Sequence, residues 1–598
     1  LREWTADHWR TFITEHISNP PKACVIGKSS EEKFKAIEQE NADREKSIKQ
    51  STDLELTAKM LDLAIEHNEQ PIPENLLEMF EKPDFNKIKF ITSKSAATSQ
   101  MLKRLPGKPM ILDDSIQSHI KDVDLALAFE SVDTQFVNIK VYLMPTSNIE
   151  PRLLPLIEVL LSNIFSFPMR MDDGKILSGE EVAKAVKYDL LNYRMVDDCQ
   201  PQEFVALTLT CKASKYEEAI KWLERIALNV VCDDIETIKL FINKYLMGLD
   251  ENKRNGQVLL YSSVNDTLLT NNSLRKASDP ILAENDVLAF LDEDPNQIVQ
   301  DMQSLLSDLF QKENMRTLVI CDVVRMAASG TDLTAPWRKL AENLQGIQYA
   351  KSNAVNSVNK HIPKSGDFLT DLGKTPKNLA TLTTCPSTDS ASITIVSNGP
   401  EVYGQEDLPA LAVVNSYLQM TEGPFWKAVR GPGLAYGVSI ETSVQLGKIV
   451  LNVFSASDVH GALIAVKDAI MSIANGEYLI DENCLHSAVS TIVSDLAAHL
   501  STTITAVNEK FLDTAFKGYS PDYVHTVIKE ISSVTPVQFL RTLKKYVIPL
   551  LHEETSLLFA VASPSEKESL SAQFEKMGYE VKCICQSESD DEEESDSE

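Results

Sequence analysis

The apolar positions of this chain follow two periods, and the same succession of periods occurs twice. "FVNIKVYLM" (Phe136–Met144) alternates apolar and polar side chains, as a half-buried strand does. "LLPLIEVLLSNIF" (Leu153–Phe165) follows with a helical period and Pro155 in its first turn. Later, "SITIV" (Ser392–Val396) leads to "DLPALAVVNSYLQ" (Asp407–Gln419), with Pro409 in the same place. Ile157, Leu160 and Ile164 match Leu411, Val414 and Leu418 at i, i+3 and i+7. "VALTLTCKASKYEEAIKWL" (Val205–Leu223) parallels "IVLNVFSASDVHGALIAV" (Ile449–Val466): a strand, a serine-containing turn, then a helix. The strands "RTLVICDV" (Arg316–Val323) and "TSLLFAVAS" (Thr555–Ser563) each come near the end of a copy. The pattern predicts an α+β protein with two homologous α/β sandwich domains, each a mixed or antiparallel sheet covered on one side by helices. A repeat of this length is a duplication of domains, not a solenoid.

Changes of pattern place the boundaries. "WTADHWRTFITEHI" (Trp4–Ile17) is an amphipathic helix and "ACVIG" (Ala23–Gly27) a short strand, so 1–28 reads as the end of a preceding α+β domain. The chain opens on Leu rather than Met, and we expect it to be a piece of a longer polypeptide. Residues 29–80 are charged almost all round, with no Gly or Pro until Pro71, and predict a helical linker. The first globular segment spans 85–345, a polar linker 346–389, and the second globular segment 390–585. In the second copy "TPVQ" (Thr535–Gln538) spells a capping box, and Glu482–Gly518 reads as one long helix with Gly518 as its stop.

Charge changes this picture at one end. The formal net charge is −29, and the tail Glu588–Glu598 holds eight of the carboxylates; 586–598 is predicted to be disordered. Ser587, Ser589 and Ser595 each have an acidic residue three positions on, the pattern an acidophilic kinase takes. Basic residues do not cluster, which argues against nucleic acid as a partner. No apolar run is long enough to predict a membrane span. Nine cysteines without a repeated spacing predict free, buried or half-buried thiols and an intracellular protein, cytoplasmic or mitochondrial. Cys583 and Cys585 form the one close pair, pointing to one side of a terminal strand, with no second pair to complete a zinc site. His486 and His499, thirteen positions apart, read as ordinary surface or groove residues rather than metal ligands.

Catalytic motifs are sparse. HExxH, HxxEH, GxSxG and GxxxxGK[ST] are all missing from the sequence. What remains is "FWKAVRGPGLAYG" (Phe425–Gly437), which sets Arg430 and Tyr436 either side of Gly431, Pro432 and Gly433. A short helix should end at Arg430, where the helix dipole favours a cation. The turn should lead into a strand on which Leu434, Tyr436, Val438 and Ile440 share one face. On spacing alone, Arg430 caps a helix and Tyr436 packs in a sheet; the other reading is a guanidinium and a phenol presented to a cleft.

With its Leu-Pro helix and its position in a duplicated α+β unit, "EGPFWKAVRGPGLAYG" (Glu422–Gly437) resembles the C-terminal half of an inverzincin zinc metallopeptidase. That clan includes pitrilysin, insulysin and the presequence protease, and the resemblance is to the presequence-protease branch and its acidic-tailed eukaryotic homologues. It implies that 85–345 and 390–585 are the third and fourth domains of such an enzyme, closing over a zinc-binding N-terminal half. It further implies that Tyr436 stabilises the oxyanion, that Arg430 positions the substrate backbone, and that the substrate is a peptide. This chain carries no zinc-binding HxxEH, so Zn2+ would belong to the missing half, which is its expected partner within the same polypeptide. By itself the fragment should be inactive. The alternative from another class is a non-catalytic scaffold or assembly subunit of the same fold.

Overall fold

The computed structural model describes residues 4–585, apart from 29, 52, 69, 71–72, 74–75, 77–78, 80–82, 146–148, 198–199, 346–361, 479 and 481. The acidic tail and the first part of the expected polar linker lie outside the described residues. The chain divides into two compact units, Leu1–Pro83 and Asp84–Glu598.

The first unit contains the predicted opening helix, Ala6–Ile13, capped by Thr5, whose hydroxyl accepts from the His8 backbone N–H. A π-helical turn, Thr14–Ser18, continues it. Helices Glu31–Ser51 and Leu54–Asn68 follow, exposed at their described side chains as their charge pattern requires. The predicted strand Ala23–Gly27 does not form: Val25 is 92% exposed and Ile26 77%. A strand needs a neighbour for its ladder, and the described residues of this unit hold none.

The second unit is built on two six-stranded sheets. The strands, in chain order, are β1 Lys94–Ala97, β2 Leu127–Ser131, β3 Phe136–Leu143, β4 Met169–Arg170, β5 Ile176–Leu177, β6 Asn192–Val196, β7 Val205–Lys212 and β8 Arg316–Cys321, then β9 Leu379–Thr384, β10 Ala391–Asn398, β11 Ala435–Ser443, β12 Lys448–Ala456, β13 Ser556–Ala562 and β14 Glu580–Cys585. The first sheet runs β1-β2-β8-β3-β7-β6 and the second β14-β9-β13-β10-β12-β11; β4 and β5 form a small separate hairpin. Five strands therefore keep one order in both copies. Their pairings match too: β2 with β8 and β9 with β13 are parallel, and the corresponding remaining pairs are antiparallel. The sixth strand breaks the symmetry. β1 adds antiparallel at the start of one copy, while β14 adds parallel at the end of the other.

Three sequence expectations need correction. The segment 346–389, read as a polar linker, contributes β9 to the interior of the second sheet; its "LATLTT" hides buried threonines in a ladder, where hydroxyls are tolerated. The single helix expected over Glu482–Gly518 is two, Glu482–His499 and Thr503–Ala515, because the Thr502 hydroxyl accepts from the Thr505 backbone N–H and starts a new helix. Gly518, with φ +74°, lies just beyond the second of these.

The third concerns the faces of the sheets. Helices of each copy cover one face: Val137, Ile139 and Val141 of β3 join Leu156, Ile157 and Leu160 in one core, and Ile449, Leu451 and Val453 of β12 join Leu411 and Val414 in the other. The opposite face is covered as well, in each case by a helix of the other copy. Thr503–Ala515, between β12 and β13, sets Val507, Phe511 and Leu512 against Tyr142, Ala206, Leu318 and Ile320 of the first sheet. Gly256–Leu268, between β7 and β8, sets Leu259, Leu260, Val264 and Leu268 against Val396, Leu557, Phe559 and Val561 of the second. This explains why β8 and β13 are buried at every residue. At about 1.5–3 kcal/mol for each large apolar side chain buried, the exchange is a major part of the stability of the unit. Gly107 and Gly518 meet where the copies touch, and a Cβ on Gly107 would lie 2.4 Å from the Gly518 carbonyl oxygen.

Candidate functional site

The segment that leads to Arg430 is shaped by what it buries. Helix Leu408–Gln419 carries Pro409 in its first turn and buries Leu411, Val414 and Tyr417. After a turn at Glu422 and Gly423, Phe425 is buried and anchors a π-helical turn, Trp426–Arg430, whose Val429 is also buried. The Gly431 N–H donates to the Trp426 carbonyl at 2.9 Å, and the Leu434 N–H to the Val429 carbonyl at 2.9 Å. Gly433, at φ +77°, is left-handed, which a side chain would resist. Its carbonyl accepts from the Ser457 hydroxyl at 2.9 Å, pinning the turn to the start of helix Val459–Asn475. Ser457 lies too far along the chain for any local pattern to have marked it.

The turn feeds β11, the edge strand of the second sheet. Ala435 and Gly437, on either side of Tyr436, pair with Ala456 and Phe454 of β12, which fixes the outward direction of the phenol. Ile440 is buried and Leu434 and Val438 half-buried, whereas Tyr436 is 68% exposed. The Arg430 guanidinium lies over the Tyr436 ring, its Cζ 4.9 Å from the centroid. Among the described residues, neither the guanidinium nor the phenolic oxygen makes a hydrogen bond or ion pair. Arg430 does end its helical turn, as spacing predicts, whereas Tyr436 does not pack inside the sheet. What the structure brings together is a cation stacked on a phenol, both open to solvent. Gly431, Pro432 and Gly433 are exposed beside them.

The histidines are used elsewhere. His486 stacks on Phe85, with centroids 5.4 Å apart, and His499 lies 3.4 Å from Glu509. Among the described residues no three His, Cys, Asp or Glu side chains converge as a metal-ligand set, so the groups present do not fit a resident zinc ion. A cavity of about 300 Å³ lies between β1 and helix Thr503–Ala515, and neither Arg430 nor Tyr436 lines it. No described helix is long and apolar enough to cross a membrane.

The duplicated mixed sheets, helix-covered and interlocked, form a fold that this chain shares with solved structures. The likeness is one of fold, at low sequence identity. A protease from Helicobacter pylori superposes with a TM-score of 0.54 at 11% identity, over 74% of this chain and 97% of that one. The peptidase M16 inactive domain from Pseudomonas fluorescens gives 0.52 at 14%, over 79% and 98%. The periplasmic protease PqqL from Escherichia coli gives 0.51 at 12%, over 74% of this chain and 44% of its own. No protein-family model matches the chain. Among curated proteins it is similar to the uncharacterised protein YOL098C of Saccharomyces cerevisiae, at 25% identity over 99% of this chain, and to the uncharacterised protein C3H1.02c of Schizosaccharomyces pombe, at 24% over 97%. The chain spans 58% and 56% of the lengths of these two relatives.

Proposed function

We propose that this chain is the C-terminal, substrate-binding and closing half of a zinc metalloendopeptidase of the presequence-protease branch, which degrades peptides in an enclosed chamber. The observation that carries the proposal is the stacking of Arg430 on Tyr436, with both sets of donors unused by the protein. Peptide hydrolysis passes through a tetrahedral oxyanion, and a preorganised phenol at a chamber wall is suited to donate a hydrogen bond to it. The guanidinium, over the ring, offers a planar fork to the substrate carbonyls on either side of the scissile bond. A scaffold has no use for two solvated donors fixed in one orientation by a left-handed glycine and a pinned turn. The likeness to an M16 inactive domain supports the assignment to the half without the metal.

In this reading Zn2+ is bound by the N-terminal half of the same polypeptide, and no step here runs through it. The test uses the protein with both halves present. Tyr436→Phe removes one hydroxyl, and kcat is expected to fall by roughly 10²–10³ with KM and Tm nearly unchanged. Full activity in the folded variant refutes the proposal.

A further inference from the structure

We infer that Cys583 and Cys585 form a thiol–disulfide exchange site for low-molecular-weight disulfides of the glutathione class, with Cys585 the attacking thiolate and Cys583 the resolving thiol. Both lie on β14, which pairs with β9 and is the outer strand of the second sheet among the described residues. Residues two apart on a strand point to the same side. Here that side faces helix Lys567–Lys576, and both cysteines are exposed. Lys567 Nζ donates to Cys585 Sγ at 3.1 Å. Ser571, one turn further along the helix, lies 3.4 Å from Cys583 Sγ. An ammonium in contact with an exposed sulfur is the setting that makes a thiol nucleophilic.

Five of the other described cysteines lack this setting. Cys211, Cys232, Cys321 and Cys385 are buried, and burial pushes the first three up to about 12, so they stay protonated at neutral pH. Cys585 moves the other way, chiefly because of the hydrogen bond from Lys567. Cys24 is exposed but has no hydrogen-bond partner among the described residues.

The exchange balances in two steps. The Cys585 thiolate attacks one sulfur of the small disulfide; its S–S bond breaks, a Cys585 Sγ–S bond forms, and the first small thiolate leaves and takes a proton from water. Cys583, as thiolate, then attacks Cys585 Sγ and displaces the second small thiol, giving a Cys583–Cys585 bond. The dithiol loses two electrons and the small disulfide gains them. Alternate residues of a strand are about 6.6 Å apart at Cα, near the upper limit a disulfide spans. The bond also needs the two Cβ atoms within about 4.5 Å, so residues 583–585 leave their pairing with Leu382 and Thr384 of β9 when it forms.

The full chain is treated with glutathione disulfide at neutral pH and mapped by peptide mass spectrometry. The wild type is expected to accumulate the Cys583–Cys585 disulfide. Cys583→Ser should stop at the glutathione adduct on Cys585, and Cys585→Ser should show neither product. Lys567→Gln should slow the first step by about threefold to tenfold, the loss of thiolate being partly offset by greater intrinsic nucleophilicity. Circular dichroism confirms that each variant is folded. Reaction at Cys24 as fast as at Cys585 overturns the inference, and so does an adduct in the wild type that never resolves.

Discussion

Lys510 Nζ lies 2.9 Å from Glu130 Oε2, joining a helix of the second copy to β2 of the first. Glu130 is almost wholly buried, and the same ammonium donates to the Ser93 carbonyl at 3.0 Å, the Ser93 hydroxyl at 3.1 Å and the Ser95 hydroxyl at 2.7 Å. A buried pair adds little net stability over an apolar replacement, but removing one partner strands the other charge. Lys510→Met is therefore expected to destabilise the second unit by about 3–5 kcal/mol in urea unfolding. The double variant Lys510→Met/Glu130→Leu should recover most of that loss. Equal losses in both would mean that packing, not the stranded carboxylate, sets the cost.

Lys448 predicts an alkaline gain in stability. It is 1% exposed on β12, with Asn398 Oδ1 accepting from its ammonium at 2.8 Å. Burial pushes its pKa down to about 8, against an opposing pull from the Glu401 carboxylate. Between about 8 and 10.5 the unfolded chain holds this proton and the folded chain does not, so stability rises with pH across that window. Below pH 8 the lysine costs about 3 kcal/mol. Lys448→Met should be more stable than the wild type near neutrality, with the difference shrinking up to pH 10. Parallel stability–pH curves for the two proteins would refute this.

Arg430→Lys separates stacking from charge in the two-half protein. Lysine keeps the charge but loses the planar fork, so KM for peptide substrates should rise more than with Tyr436→Phe. Tm should stay within about 1 °C, since both residues are exposed and surface changes rarely exceed about 0.5 kcal/mol. A Tm loss that tracks the activity loss would identify the pair as structural.

The exchanged helices predict that neither copy is stable by itself. A fragment of residues 85–345 lacks Thr503–Ala515 and leaves Ala206, Leu318 and Ile320 bare. It should bind a hydrophobic dye and be cut by protease far faster than the same residues in the whole chain. Addition of the fragment 362–585 should protect it. A monomeric, protease-resistant 85–345 would show that the exchange is dispensable.

How much of this could be read from the residues depended on range. The duplication was legible because Leu160 and Val414 repeat a local period, and the capping box at Thr535 and Gln538 forms as spelled, with Thr535 N–H donating to Gln538 Oε1 at 2.9 Å. Arg430 and Tyr436 were legible as a pair through the turn between them. Their exposure was not, because a face-sharing pattern does not say which member of the face projects beyond the core. The second covered face was hidden for a different reason. In "RTLVIC" and "SLLFAVA" both sides are apolar, so the alternation that would reveal a buried face vanishes, and the covering helix lies more than a hundred residues away. Lys510 and Glu130 are 380 positions apart and carry no local signal at all.

The exchange of helices also sets a timetable for synthesis. The first sheet receives its last strand when Cys321 has been made, but the helix that seals its second face begins only at Thr503. At roughly 5–20 residues per second, that interval leaves the apolar row of Ala128, Ala206, Leu318 and Ile320 without its lid for about 10–35 s. A nascent chain in that interval presents a nearly finished sheet with one greasy side open to its surroundings. Ribosome-associated holding factors that recognise exposed apolar strands would meet this chain while residues 322–503 are being made.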